Sequence, residues 1–456
     1  MKRVVVCVKI VQGEINLFDA CALECALQLD AEITVLCMGP KSALPVLESL
    51  SRLGSFRTIL LCDDLYAGSD TLATGYILSR AIERLQSELV LCGRQSTDGD
   101  TGQIGPALAT RLHFSLVTNV MKFSLPLCTT RQGTQQVKEP AVLTIERINT
   151  LRFPSLKSKM RNVEVWDNSV LQADPNRCGL RGSPTRVLSV TKLEHTRRHC
   201  QFIDRRELFP LIERLKKTPD TQTPTRSTSQ NDKFDDIWIV GKEIHSVAAE
   251  LARHVTCFET NEIESDPARF VDSVRQEKPP IILLPAHSRG RRLAPQLAVA
   301  FETGLCADCT SLEKRGEQLI MRRPAGQGEL LAEIECRTLP QMATVRYIDH
   351  DSEAELVVGC GRGVSRDFAR AQEFASSLGA SLAASRGLVD DRIAPYELQA
   401  GLTGRTISPK IYIALGISGA VHHLCGVEAS RFIIAMNPDR NARIFDYADY
   451  GIVEDF

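Results

Sequence analysis

The feature that most constrains this chain is a unit repeated near its C-terminus. Leu356-Val357-Val358, Leu382–Ser385 and Ile411–Leu415 are short, mostly apolar runs of strand character. Each leads into a small-residue turn: Gly359-Cys360-Gly361-Arg362-Gly363, Arg386-Gly387 and Gly416-Ile417-Ser418-Gly419. Helix-compatible sequence follows, Arg366–Leu378 after the first turn and a segment carrying His422 and His423 after the third. Strand, tight turn and helix in alternation predict a parallel α/β sheet with all three turns on one edge. Such turns aim free backbone N–H groups and a positive helix end at a phosphate. A single turn of this kind is an ordinary connection, but its recurrence within one domain predicts dinucleotide binding. A further strand, Phe432–Met436, ends in Asn437, and the loop Gly401-Leu402-Thr403-Gly404 precedes the third run.

The same alternation runs through residues 1–160. Strands are predicted at Arg3–Val8, Glu32–Cys37, Thr58–Leu61, Leu89–Cys92 and Ala141–Glu146, with helices such as Ala20–Gln28 and Asp70–Leu85 between them. After Leu89–Cys92 comes a polar, Gly-rich loop, Ser96 to Gly105, and then a helix with Pro106 near its first turn. Asp98, Asp100, Thr101 and Gln103 suit ribose binding or helix capping, and the amides of Gly102 and Ile104 suit a phosphate. From the loop alone, a well-capped turn without ligand is an equal alternative.

Residues 147–166 are basic with interleaved apolar groups, either a solvated connection or a docking surface. Residues 167–200 form an irregular arm containing GLRGSPTRV. Thr218–Asp232 has almost no apolar side chain and several Pro, Ser and Thr, the composition of a flexible linker. A second α/β segment restarts beyond it with strand Asp236–Gly241, a helix from about Ser246 and strand Ile281–Leu284. No internal repeat shows at the residue level. Cys306-Ala307-Asp308-Cys309 is a C-x-x-C without a second ligand pair, so no metal is expected there.

A net charge of −1 gives no field to attract nucleic acid or an anionic membrane. The fifteen cysteines are odd in number and scattered along apolar runs, as reduced small hydrophobes are. No apolar segment approaches the roughly 18 residues of a membrane span. The start, MKRVVVCVKIV, reads as a strand rather than a signal peptide. A cytoplasmic protein is expected.

Several of these motifs also carry a family resemblance. GCGRGVSRDF, LAASRGLVDD, LQAGLTGRTISPKIYIALGISGAVHHL, the asparagine of AMNPD and DYGIVEDF closely resemble the FAD domain of the electron transfer flavoprotein α subunit. RRPAGQGELLAEIECRTLPQMATVR and TGLCADCTSLE look like earlier parts of that subunit. VCVKIV, INLFDACALECAL, LCGRQSTDGDTGQIGP and ERINTLRFPSLKSKM look like the β subunit. The resemblance covers nearly the whole chain, β-like first and α-like second, and implies two subunits fused in one chain. It implies two Rossmann-like domains of the adenine-nucleotide α-hydrolase-like type, plus a doubly wound FAD-binding domain with a parallel sheet. The implied boundaries are 1–160 for the β-like nucleotide-binding domain, 161–200 for its C-terminal arm and 201–233 for a linker. The α-like N-terminal domain then spans 234–350 and the FAD-binding domain 351–456.

The resemblance implies a carrier that passes electrons singly through FAD, between a flavin dehydrogenase or reductase of the acyl-CoA dehydrogenase type and another redox partner. Arg362, Ser385, Arg386, Gln399, Thr403, Gly404, Ser418, Gly419, His423, Asn437 and Asp455 match family positions that hold FAD. Arg386 is expected over the flavin ring and His423 near its C2 carbonyl, where a fixed cation favours negative charge on the reduced ring. Asn16, Asp98, Asp100, Thr101, Gly102, Gln103 and Ile104 match a second nucleotide site. DGDTGQIGP and GLRGSPT are similar to members that bind a second FAD there and bifurcate electrons, with AMP as the alternative. Leu156, within RFPSLKSKM, matches the loop that recognises the partner. Ferredoxin, flavodoxin or NADH are further candidate partners. An NADH-oxidising bifurcating flavoprotein and a non-redox nucleotide-binding module are the alternative functions. Departures from the family include the stretch between Lys9 and Asn16, where only IVQGEI stands in place of a longer insertion and direct NADH oxidation is less expected; Leu402 and His422, each replacing a usual glutamine, and Pro438, replacing a common lysine, bear on tuning.

Overall fold

The computed structural model describes residues 1–193, 197–219, 233–347, 355–402 and 404–456. They fall into two compact units: 1–190, 233–326 and 332–345 form one, and the described parts of 191–232, 327–331 and 346–456 form the other.

The first unit holds a nine-stranded sheet. Its order is Glu164–Trp166, Arg57–Leu61, Ala31–Met38, Lys2–Val8, Leu89–Gly93, Ala141–Ile145, Ser115–Lys122, Leu127–Thr130 and Gly133–Gln136. The first seven strands are parallel and the last two close an antiparallel meander. Val4 to Val8 and Leu89 to Cys92 are buried throughout, because helices cover both faces of a parallel sheet. That is why these strands read as continuous apolar runs. The helix Thr71–Leu85 starts where the Asp70 carboxylate accepts from the Leu72 and Ala73 amides at 2.9 and 3.0 Å. The five predicted strands all form, with ends displaced by a residue or so. Ser115–Lys122 and the meander escape prediction because their polar, half-buried residues follow no clean period.

The second α/β segment is also in this unit. Its five parallel strands lie in the order Ala252–Phe258, Phe234–Val240, Ile281–Pro285, Gln341–Val345 and Leu305–Cys309. Without Glu164–Trp166 and Arg57–Leu61, the parallel core of the first sheet has the same order: second strand, first, third, fifth, fourth. The likeness extends to detail. Each fourth strand carries an irregularity in register with a left-handed residue, Asn119 (φ 57°) or Asp308 (φ 58°). The Asn119 amide donates to Thr144 Oγ1 at 2.9 Å, and the Asp308 amide to Thr344 Oγ1 at 2.7 Å. The helices after the third strands, Ile104–Leu112 and Ser288–Phe301, pack on each other. The chain thus contains a structural repeat that its residues do not advertise.

The second unit is built on six parallel strands: Gln201–Phe202, Tyr450–Ile452, Phe432–Met436, Ile411–Leu415, Leu356–Cys360 and Ser381–Ala384. Leaving out Gln201–Phe202, the chain order is 2-1-3-4-5, a doubly wound sheet whose switch point lies between Leu356–Cys360 and Ile411–Leu415. The expected linker from 201 differs here. Residues 201–219 add an edge strand and the helix Leu208–Lys216, whose Leu208, Leu211, Ile212 and Leu215 enter the core of this unit. Their spacing marks one helix face. The remainder of that stretch, 220–232, lies outside the described residues.

Candidate functional site

At the switch point of the first sheet, the loops after Lys2–Val8 and Leu89–Gly93 border a cavity of about 910 Å³. That lies within the range of roughly 300–1,000 Å³ that small-molecule sites occupy. Thr101, Gly102, Gln103 and Ile104 line it, as the sequence led one to expect. The helix Ile104–Leu112 begins there, and Gln103 at its N-cap position makes no side-chain cap. The Thr101, Gly102, Gln103 and Ile104 amides donate to no described residue. A nine-residue helix with an uncapped start on a cavity is suited to an anion.

The other three residues placed at this site shape the loop instead of lining the cavity. Asn16 is buried; its Nδ2 donates to Gln95 O at 2.9 Å and its Oδ1 accepts from the Thr97 amide at 3.2 Å. Asp98 pairs with Lys9 Nζ at 2.6 Å, and Asp100 accepts from Gln95 Nε2 at 2.8 Å. Arg323 holds the loop from outside, donating to Gly99 O at 2.8 Å and Asp100 O at 3.2 Å. Gln103 is fixed by Thr71 Oγ1 and by Leu305 O. Sequence reasoning missed the rest of the wall: Gly39, Pro40 and Lys41 after Ala31–Met38, Cys62 to Asp64 after Arg57–Leu61, and Asp19. The available signal was position, since all but Asp19 follow the carboxyl end of a parallel strand. Asp19 joins the two switch-point strands by accepting from the Lys9 and Gly93 amides, both at 2.9 Å. Burial pushes its carboxyl up to about 7 against those two bonds.

In the second unit the predicted turns do share one edge, because all six strands are parallel. Arg362, Ser385, Arg386, Ser418, Gly419, Asn437 and Asp455 follow strand ends there. At the switch point the backbone of Gly361 and Gly363 lies directly on Gly416: a Cβ on Gly361 would meet Gly416 O at 2.1 Å. Only glycine permits that approach. Gly419 (φ +85°) is pressed against the Ile444 amide, where a Cβ would lie 2.2 Å away. The amides of Ser418, Gly419 and Ala420 donate to no described residue, an anion-binding arrangement that suits a pyrophosphate. Gln399 is buried, its carbonyl accepting from Arg405 N at 2.8 Å, and Gly404 N donates to Gly401 O. Thr403 lies outside the described residues. Asn437 Nδ2 donates to Ile417 O at 3.0 Å and so steadies the third turn.

Three groups expected beside the flavin already have protein partners. Arg362 is bound on two prongs to Asp391, at 2.8 and 3.1 Å, and Arg386 contacts Asp390 at 3.2 Å. His423 is buried, with Nδ1 3.1 Å from Ala400 O and Nε2 2.7 Å from Tyr412 Oη. The Ala400 carbonyl makes Nδ1 the donor, and in the neutral ring Nε2 then accepts from the Tyr412 hydroxyl. Burial lowers its pKa to about 4. His423 as placed therefore supplies no fixed cation. Cys306 and Cys309 are buried in a strand, and no group of His, Cys, Asp and Glu among the described residues could hold a metal. All fifteen cysteines are unpaired.

Leu156 is 99 % exposed and Phe153 93 % exposed, an apolar pair on the loop after Ala141–Ile145. Arg152 anchors that loop by donating to Glu24 through its amide, Nε and Nη2. No helix among the described residues is long and apolar enough to cross a membrane.

Parallel sheets whose switch points offer unpartnered amides define a nucleotide-cofactor protein. Comparison with known proteins narrows that class. The electron transfer flavoprotein domain matches residues 4–171 and 248–348, and the electron transfer flavoprotein FAD-binding domain matches residues 352–428. The former alone covers more than half of the chain, so this protein belongs to the electron transfer flavoprotein family. Its C-terminal part is the FAD-binding domain of that family. The electron transfer flavoprotein subunit alpha of Clostridium acetobutylicum is 37 % identical over 40 % of this chain and 69 % of its own length. The lactate dehydrogenase (NAD(+),ferredoxin) subunit LctC of Acetobacterium woodii is 38 % identical over 40 % of this chain, which spans little more than half (54 %) of that subunit. The acryloyl-CoA reductase electron transfer subunit beta of Anaerotignum propionicum is 32 % identical over 48 % of this chain and 82 % of its own length.

Proposed function

We propose that this chain is a fused electron transfer flavoprotein, with residues 1–160 and the arm after them as the β-like part and residues 234–350 and 351–456 as the α-like part. The observation that carries the reading is the presence, in one chain, of two separate switch points with unpartnered amides, one on a cavity and one in the FAD-binding domain. FAD, when bound, supplies transfer of electrons one at a time. The chain's own residues hold it: the Ser418 to Ala420 amides take the pyrophosphate, Ser385, Gln399, Thr403, Gly404, Asn437 and Asp455 flank it, and Arg362 and Arg386 bring positive charge. His423 contributes a neutral hydrogen bond rather than a charge. Asp390 and Asp391 hold the two arginines ready before the cofactor arrives.

The cavity of the first unit takes the second nucleotide, with Thr101 to Ile104 on its phosphates and Asn16, Asp98 and Asp100 holding the loop. FAD there favours the bifurcating reading with NADH, which the name of the Acetobacterium woodii relative supports; AMP favours the simple carrier. Flavin and AMP extracted per chain decide between them: two FAD, or one FAD and one AMP. A protein that carries neither would sink the proposal.

The partner is a flavin dehydrogenase or reductase that receives Leu156 in an apolar pocket. Leu156→Ala is expected to lower the rate of electron exchange with that partner about tenfold or more, with the flavin spectrum unchanged. Equal rates for the two proteins would remove the docking role.

A further inference from the structure

A second cavity of the first unit, about 460 Å³, lies between the helix Thr71–Leu85 and the arm that follows Asn176. Five arginines line it, Arg111, Arg177, Arg181, Arg186 and Arg337, against the single carboxylate of Glu302. Arg177 pairs with Glu302 at 2.6 Å, and Arg337 pairs with Glu335 at 2.9 Å. Arg111, Arg181 and Arg186 have no carboxylate partner among the described residues. Arg111 is the deepest of the five: its Nε is buried with no hydrogen-bond partner, and its Nη2 reaches only Leu72 O at 3.4 Å. Arg111 and Arg177 crowd the same Tyr76 ring, 5.6 and 4.2 Å from its centroid. Burial first, and then Arg177, lower the Arg111 pKa.

Like charges gathered in a concave site repel and lose water, so the arrangement needs a reason. Helix ends supply part of one. Arg111 is in the last turn of Ile104–Leu112, and Glu302 caps Ser288–Phe301. Each carboxyl end offers about half a negative charge, roughly one in total, and the Asp70 carboxylate also acts on Arg111, against three guanidiniums without a carboxylate partner. The excess positive charge remains.

We propose that this cavity binds a small polyanion, a free molecule presenting two linked phosphate groups. Guanidinium forks match phosphate oxygens on two prongs and keep their charge at any working pH. The Tyr76 ring is already taken by Arg177 and Arg111, so recognition rests on the charged group and not on a stacked base. The cavity shares no lining residue with the nucleotide cavity around Thr101 to Ile104. A cavity of about 460 Å³ admits a small molecule and not a folded acidic surface, which favours the free anion over a protein partner.

The test is calorimetric titration of the full flavin-loaded chain with inorganic pyrophosphate at low salt. AMP is held in excess so that the nucleotide cavity does not compete. One site per chain is expected, weakened at least tenfold by Arg181→Ala with Arg186→Ala. Both side chains are exposed and make no ion pair, so the fold is not at stake. Arg111→Gln should weaken binding further, and Lys122→Ala, on a remote strand, should change nothing. No heat at millimolar pyrophosphate, or equal affinity in the double variant, overturns the proposal. So does a poly-glutamate peptide that binds the same arginines more tightly than pyrophosphate.

Discussion

In the first α/β half, the helix Ile104–Leu112 starts uncapped beside an open cavity; in the second, the equivalent helix Ser288–Phe301 starts sealed. His287 caps it by accepting from the Gly290 amide at 3.0 Å and lies 3.7 Å from Glu243. Arg289 and Arg292 close on Glu264 beside it. Strand order, strand irregularity and helix pairing are shared, so the fold cannot be what distinguishes them. It supplies a position where a phosphate is welcome. A histidine cap and two arginine–carboxylate pairs make that position self-sufficient in the second half, while glycines and an uncapped Gln103 leave it wanting a ligand in the first.

The largest expected effect follows from refilling the open position. Gly102 has φ +63° and the nearest atom to an added Cβ is Arg94 O at 3.5 Å, so the cost of a side chain is backbone strain and occupied space. Gly102→Val should reduce the second nucleotide from about one per chain to under a tenth, while FAD in the C-terminal domain is retained. Loss of both cofactors, or of neither, would break the distinction between the two halves.

Next in size is a pH effect, opposite in sign at the two cofactor positions. His423 titrates near 6.5 unfolded and about 4 folded, so its stabilising neutral form is lost as pH falls from 6.5 toward 4, at a cost of about 3 kcal/mol. Asp19 is raised from 3.8 to about 7, so its contribution is full below 3.8 and lost as pH rises through 7. Urea unfolding followed by release of FAD should show the acid limb, and His423→Gln should flatten it. Trp166 and Trp238 both lie in the first unit, so their fluorescence reports the neutral-to-alkaline limb. An acid limb unchanged in His423→Gln would mean that its ring is not held neutral by burial.

Legibility in the sequence followed from what each site is made of. The strands Leu356–Cys360 and Ile411–Leu415 were plain because parallel strands buried on both faces are continuous apolar runs. Their glycines were plain as turns, but the reason for them, backbone lying on backbone at Gly361 and Gly416, needs the third dimension. Four residues of the Thr101 loop reach the cavity, whereas Asn16, Asp98 and Asp100 spend their side chains on the loop; type and spacing could not separate those tasks. His423 looked like a cation because sequence shows neither Tyr412 nor Ala400 beside it. The helix Leu208–Lys216 was legible, since Arg205–Lys217 is helix-compatible in sequence, but the polar stretch beside it drew the linker boundary back to 201. The internal repeat escaped because it is kept by geometry, with Asn119 answered by Asp308 and few other identities.

The smallest effect tests that repeat directly. Thr144 and Thr344 are both buried, 2 % and 1 % exposed, and each hydroxyl accepts the amide of the left-handed residue in the neighbouring strand. Replacing either by valine keeps shape and removes the acceptor. A buried amide without a partner costs roughly 1–3 kcal/mol, so each variant should lose about 1–2 kcal/mol in urea unfolding of the first unit. Equal losses mean that the two halves share an energetic scaffold and diverge only where their third strands end. A loss confined to Thr144→Val would mean that the second half has found another way to hold Asp308, whose carboxylate already engages Arg291 at 2.8 Å. In that case the ion pairs that seal the second half would also be carrying the strand beneath them, and its closure would reach deeper into the fold than the crest alone.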